Sequence, residues 1–174
     1  MKHFLVVVDI QNDFVDGALG TKEALEIVKP AAETIKNFNG EIFVTFDTHY
    51  EDYLTSAEGK KLPVEHCIKD TFGWQLNGEI SAALQGRQYT EVIKNTFGSK
   101  DLPELILKSA QDEDFDICLI GLCTDICVVS NALYLKANFP EKEIYVKADN
   151  CAGVTPETHN AALDTMRCCQ INII

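Results

Sequence analysis

Asp116-Ile117-Cys118-Leu119-Ile120-Gly121-Leu122-Cys123-Thr124-Asp125-Ile126-Cys127-Val128 passes from one kind of structure to another within a few residues. The run Asp116–Ile120 is short and almost wholly apolar, as expected of a strand buried on both faces. Gly121 to Cys127 is a turn, and Asp125–Asn138 carries helical periodicity. A buried strand that feeds directly into a helix is half of a βαβ unit, and parallel sheets are built from such units.

The pattern repeats outward from this stretch. Phe4–Val8, Glu41–Phe46, Glu91–Lys94 (with Tyr89 before it), Glu143–Val146 and Gln170–Ile174 read as strands. Lys22–Phe38, Gln75–Leu84, Leu102–Ala110 and Pro156–Met166 read as helices. Gly40 and Pro140 stop helices, while Thr155-Pro156 pairs an N-cap with proline at the first helical position. No repeat or Pro/Ser-rich linker divides the chain, so residues 1–174 are expected to form one domain. The expected fold class is α/β: a three-layer, doubly wound, mostly parallel six-stranded sheet of Rossmann-like form. Ligands bind such sheets at the carboxyl ends of the strands, where strand order reverses. Asp9, Asp47, Lys94 and the Gly121–Cys127 turn all follow strands and should share that rim. Thr48–Phe72 has little periodicity and is expected to loop over it.

The composition excludes several classes of function. The net charge is −12, which argues against nucleic acid or an anionic membrane as a partner. The apolar run before Asp9 is too short for a signal peptide or a membrane span, so the protein is expected in the cytoplasm. Seven cysteines in a reducing compartment do not form a disulfide framework and are read singly. Cys67, Cys118, Cys151, Cys168 and Cys169 sit in or beside apolar runs and read as structural, while His3 and His159 read as incidental.

Cys127 is expected near a helix N-terminus, where free N–H groups and the macrodipole favour a thiolate and lower its pKa. The same N–H groups suit an oxyanion. Taken alone, Cys123 and Cys127 read more readily as small buried hydrophobes, the commoner fate of cysteine. Asp9 brings a carboxylate to the same rim as a candidate general base, and Lys94 brings a cation that favours both a thiolate and a carboxylate. A second cluster, Asp47 and His49 with His66, offers two imidazoles and a carboxylate, a set suited to a divalent ion. Glu58 is either a fourth ligand or a hydrogen-bond partner of the ligands. These donors suit zinc, iron and manganese alike, with zinc the first expectation.

Taken together, these segments carry a resemblance. Val8-Asp9-Ile10-Gln11-Asn12-Asp13-Phe14 with Gly17-Ala18-Leu19, Asp47-x-His49, His66-Cys67, Lys94-x-x-x-Gly98-Ser99 and Gly121-Leu122-Cys123-Thr124-Asp125-x-Cys127-Val128 run in order from end to end. The chain resembles the isochorismatase-like hydrolase superfamily, and within it the nicotinamidase-related cysteine hydrolases. The resemblance implies a triad of Asp9, Lys94 and Cys127, and one divalent metal held by Asp47, His49 and His66, with Glu58 where some relatives carry a further acid. It also implies a cis peptide before Cys123, an oxyanion held by the N–H groups of Cys123 and Cys127, and Phe14 lining a ring pocket. Relatives commonly assemble, which implies a homo-oligomer. The implied reaction is hydrolysis of a small carboxamide through a cysteine thioester, nicotinamide to nicotinate and ammonia first, in NAD salvage. Alternatives are an amidase for another amide, ureide or carbamoyl compound, an isochorismatase acting on a vinyl ether, and a non-catalytic binding protein on the same fold. Leu62-Pro63-Val64-Glu65-His66-Cys67 departs from the Trp-Pro-x-His-Cys stretch of nicotinamidases, and Trp74 is the nearest aromatic residue to fill the missing wall.

Overall fold

Apolar residues fill the first strand, β1 (Lys2–Val8), from Phe4 to Val8, and none of them is exposed to solvent. Successive side chains of a strand point to opposite faces, so β1 needs cover on both sides. A computed structural model describes residues 1–174 and shows how that cover is supplied. Phe4, Val6 and Val8 join one apolar cluster, and Leu5 and Val7 join another.

The sheet has six strands: β1, β2 (Glu41–Asp47), β3 (Tyr89–Lys94), β4 (Phe115–Leu122), β5 (Ile144–Ala152) and β6 (Asn172–Ile173). Their spatial order is β3-β2-β1-β4-β5-β6, and every pairing is parallel. The helices are α1 (Asn12–Val15), α2 (Lys22–Asn37), α3 (Gly78–Leu84), α4 (Leu102–Ala110), α5 (Val129–Asn138) and α6 (Pro156–Cys168). α2 and α3 pack on the face of Leu5 and Val7, whereas α4, α5 and α6 pack on the face of Phe4, Val6 and Val8. No helix is long and apolar enough to cross a membrane.

The chain builds outward from β1 to β3, then returns across β1 to add β4, β5 and β6 on the other side. The reversal falls between β1 and β4, which is where a doubly wound sheet binds its ligand. Asp9 follows one of these strands and Cys123 the other. Gly121 allows their close approach. Its φ is +124°, and a Cβ there would lie 2.1 Å from the Val8 carbonyl oxygen.

Several boundaries differ from the sequence expectation, each for a local reason. The helix expected from Asp125 starts as a π-helical turn, Thr124–Val128, before α5 begins. α3 starts only at Gly78, because the Asn77 side chain caps it by accepting from the Glu79 N–H. β5 continues six residues past Val146, through a polar stretch that alternation does not reveal. β6 is shorter than expected, because Gln170 turns with φ +62°.

Candidate active site

Asp9 leaves β1 with φ +46°, an uncommon conformation for a residue with a side chain, and its carboxylate is fully buried at the rim. Lys94, the last residue of β3, is also buried and extends across the end of β2. Its Nζ lies 2.7 Å from Asp9 Oδ2, 3.2 Å from Asp47 Oδ1 and 3.5 Å from Cys127 Sγ. Thr45 completes the cage, donating its hydroxyl to Asp9 Oδ1 at 2.6 Å. Asp9, Lys94 and Cys127 therefore meet as anticipated. One ammonium links them to Asp47 of the second cluster.

The electrostatics correct one expectation. The Cys127 thiol pKa is not lowered but raised well above the ordinary value. Burial is the largest cause, and the Asp9 carboxylate adds to it more than Lys94 takes away. Burial likewise raises the Asp9 pKa, only partly offset by Lys94. Burial opposes the charge on Asp47 too, but the hydrogen bond with His49 and the nearby Lys94 outweigh it and hold that carboxyl below the usual range. The resting site is thus a protonated thiol beside the Asp9 carboxyl, with Lys94 charged between them and 3.5 Å from the sulfur. The Cys127 thiol and the Asp9 carboxyl are raised together, which suits the passage of a proton between them.

The turn that carries Cys127 is tethered from outside. Thr124 is fully buried, and its Oγ1 lies 2.8 Å from His159 Nδ1 on α6. The Asp125 carboxylate accepts from the Val154 N–H at 3.2 and 3.1 Å. The Leu122–Cys123 peptide is cis, and the Cys123 N–H has no hydrogen-bond partner within the protein. That unpaired donor beside Cys127 is what an oxyanion would need.

The second cluster fits a divalent ion. Asp47, His49 and His66 are buried, with one ligand atom of each lying within 4.8 Å of the others. His49 Nε2 is 3.1 Å from Asp47 Oδ2, and His66 Nε2 is 3.7 Å from it. Glu58 Oε1 lies 3.8 Å from His49 Nε2 and 3.7 Å from His66 Nε2. Two ligands at about 2.0–2.2 Å from a common ion stand at such separations. His66 Nδ1 bonds the Val64 carbonyl at 2.8 Å, and as the donor of that bond it leaves Nε2 free to ligate.

A cavity of about 480 Å³ opens beside both clusters. Its walls include Phe14, Leu19, Ile126 and Phe97, with Asp47, Glu58 and His66 on one side and Cys123 and Cys127 on another. Phe14 therefore stands where it was expected. Trp74 does not: it packs on Phe46 at 5.2 Å and donates its indole N–H to Thr48 Oγ1 at 2.8 Å, away from the cavity walls. The physical reason is that Trp74 follows a turn held down by α1, so its ring lies against β2.

An Isochorismatase domain model matches residues 3–174. The chain belongs to the isochorismatase family. A nicotinamidase of Schizosaccharomyces pombe is 24% identical over 98% of this chain and 91% of its own. The crystal structure of a Bacillus subtilis nicotinamidase superposes with a TM-score of 0.85 at 25% identity, covering 99% of both chains. That of a Pyrococcus horikoshii pyrazinamidase in complex with zinc superposes equally well, at 0.85 and 24% identity over 100% and 99% of the two chains. The six-stranded parallel sheet with helices on both faces is thus the fold of this family.

Other residues serve the site without a signal in the sequence. Gln11 clamps Asp47 by accepting from its N–H at 2.8 Å and donating to its carbonyl at 2.9 Å. Asp13 accepts from the Cys67 N–H at 2.8 Å, next to His66. Tyr53 is buried against both imidazoles, with ring centroids at 4.6 and 5.1 Å, and donates its hydroxyl to the Leu62 carbonyl. Gln11 and Asp13 lie within a quoted motif, but nothing in their types marks backbone partners so distant in sequence. Tyr53 sits in a stretch without period.

Proposed function

We propose that this isochorismatase-family chain is a metal-assisted cysteine amidase that hydrolyses a small ring carboxamide, with nicotinamide, giving nicotinate and ammonia, as the first candidate. The observation that carries the proposal is the position of Lys94, whose ammonium touches Asp9, Asp47 and Cys127 at the wall of an apolar cavity. The named activities of the S. pombe and B. subtilis relatives support the choice of substrate.

In this reading the substrate ring lies between Phe14, Leu19 and Ile126, with its amide carbonyl against Cys127. Asp9 accepts the thiol proton as sulfur attacks the carbonyl carbon, and the Cys123 N–H donates to the developing oxyanion. The C–N bond breaks, the proton on Asp9 leaves with ammonia, and a thioester remains. Water then attacks the thioester with Asp9 again as base, releasing the carboxylate and regenerating the thiol. Lys94 stays protonated throughout and balances the charge that Asp9 and the sulfur exchange. Asp47, His49 and His66, with Glu58 beside them, would hold a divalent ion, zinc first by its match to two imidazoles and a carboxylate. When bound, that ion supplies a Lewis acid to which a ring nitrogen can dock. Turnover in NAD salvage within the cytoplasm, by an assembled homo-oligomer, is the setting this reading implies.

The test is ammonia release from nicotinamide by the zinc-loaded protein beside its Cys127→Ala variant. Release by the wild type, with at least a thousandfold loss in the variant, is the expected result. Equal release by both would remove Cys127 from the mechanism, and none from either would remove nicotinamide.

A further inference from the structure

The segment joining β3 to α4 supplies one wall of the cavity through Asn95, Thr96 and Phe97. It has no regular structure, and Phe97 is half exposed. Yet the next residues are fixed: Ser99 is buried, and its N–H donates to Asn131 Oδ1 at 2.9 Å. Asn131 is fully buried on α5, one helical turn beyond Cys127. Its Nδ2 donates to the Cys127 carbonyl at 2.8 Å and to the Phe97 carbonyl at 3.3 Å. One amide group thus bonds the residue that carries the sulfur and both ends of the segment Phe97–Ser99. Gly98 lets that segment lie close to α5, since a Cβ there would be 3.2 Å from the Ser130 carbonyl oxygen. The neighbouring side chain, Ser130, also turns back four residues, to the Ile126 carbonyl at 2.6 Å, but bonds nothing in the wall segment.

We infer that Asn131 is a positioning residue that sets the spacing between Cys127 and the Asn95–Phe97 wall, and through that spacing favours substrates bearing a ring. The inference rests on the proposed function only in taking Cys127 as the nucleophile. Asn131 touches neither the cavity nor the sulfur, and acts through the Ser99 N–H and the carbonyls of Phe97 and Cys127.

Asn131→Ser separates the two duties. A serine hydroxyl at this position can bond the Cys127 carbonyl as Ser130 bonds that of Ile126, but it is too short to reach Ser99. Two alkylating probes read the result, iodoacetamide and an iodoacetamide carrying a pyridyl ring. In each reaction the Cys127 sulfur gives its proton to Asp9 and forms a bond to the CH₂ carbon, and iodide leaves. Mass spectrometry of the Cys127 peptide gives the rate at this thiol alone. The wild type is expected to react faster with the ring-bearing probe. In Asn131→Ser, which loses the bonds to the Ser99 N–H and the Phe97 carbonyl, that preference should fall about tenfold, with the iodoacetamide rate unchanged. Under turnover, KM for nicotinamide should rise by a similar factor with kcat held within about twofold. Gly98→Ala, which crowds Ser130 and lifts the same wall without altering Asn131, should reproduce the loss. An unchanged preference in either variant, equal slowing of both probes, or a wild type indifferent to the ring would overturn the inference. A wild type inactive on nicotinamide that still shows the preference would reject the proposed substrate alone.

Discussion

Lys94 is where residue-level physics decides the most. An ammonium removed from water is costly, and two buried carboxylates within 3.2 Å are what make it tolerable. The pairing raises the Lys94 pKa above its ordinary value despite burial, so its stabilising charge is complete at neutral pH and is lost only at strongly alkaline pH. Lys94→Met leaves Asp9 and Asp47 buried without their cation and should cost about 3–5 kcal/mol in urea unfolding at pH 8. Asp9 already binds its proton more tightly than an ordinary carboxyl, and does so more tightly still without Lys94. Acid therefore neutralises the uncompensated charge, and the gap from wild type should narrow between pH 8 and pH 5. A gap independent of pH would mean the loss is one of packing. Cys123 makes a contrasting case. Burial first, and Asp125 next, push its thiol up to about 12, and its sulfur, unlike that of Cys127, makes no hydrogen bond with Lys94. The proposed mechanism uses only its backbone N–H, so Cys123→Ala should keep turnover within about threefold of wild type. A loss as deep as that of Cys127→Ala would give the Cys123 sulfur a role in the chemistry.

Among the elements, the central strands were legible because burial on both faces leaves continuous apolar runs, such as Phe4–Val8 and Ile117–Ile120. Helix α1 was not, since four residues are too few to establish a period. The loop from Thr48 to Phe72 was expected to cover the rim, but its anchors were invisible because they join side chains to backbone groups far away in sequence. Asn12 Nδ2 donates to the Phe72 carbonyl at 2.8 Å, and Asp13 takes the Cys67 N–H while filling the space where Gly73 would carry a Cβ. His49 and Ile68 then pair as an isolated parallel bridge, His49 donating its N–H to the Cys67 carbonyl at 3.0 Å and accepting from the Lys69 N–H at 2.9 Å. The segment after Asp9 therefore holds the loop that carries His66. Asp13→Ala should weaken zinc binding by about ten- to a hundredfold in calorimetry, as loss of support around a ligand usually does. Alkylation of Cys127 should be unchanged, because the tethers of its own turn run to α6 and Val154. Equal loss of both would show that α1 supports the whole rim.

At the scale of the molecule, the strand order β3-β2-β1-β4-β5-β6 is supplied by the structure. Strands alternating with helices implied a parallel sheet, whose carboxyl ends gather Asp9, Asp47, Lys94 and the Cys127 turn on one rim. The sign of the Cys127 pKa shift could not be read in this way, because it depends on how completely the closed rim excludes water. The same closure has a cost for the whole fold. Asp47, His49 and His66 are buried with their ligand atoms facing one another, an arrangement that an ion of opposite charge relieves. Such an ion binds the folded chain and finds no preformed site in the unfolded one, so binding energy becomes folding energy. Free zinc at a hundred times its dissociation constant should add about 2.7 kcal/mol. For a chain of 174 residues, each kcal/mol raises Tm by about 2–4 °C, which gives a rise of about 5–10 °C over the chelator-treated protein. The net charge of −12 would draw any divalent cation towards the surface, so magnesium at the same free concentration is the control for a general effect. His66→Ala should abolish the zinc increment and leave the magnesium response unchanged. If the increment survived in that variant, the zinc responsible would be bound elsewhere, and the rim cluster would need another explanation.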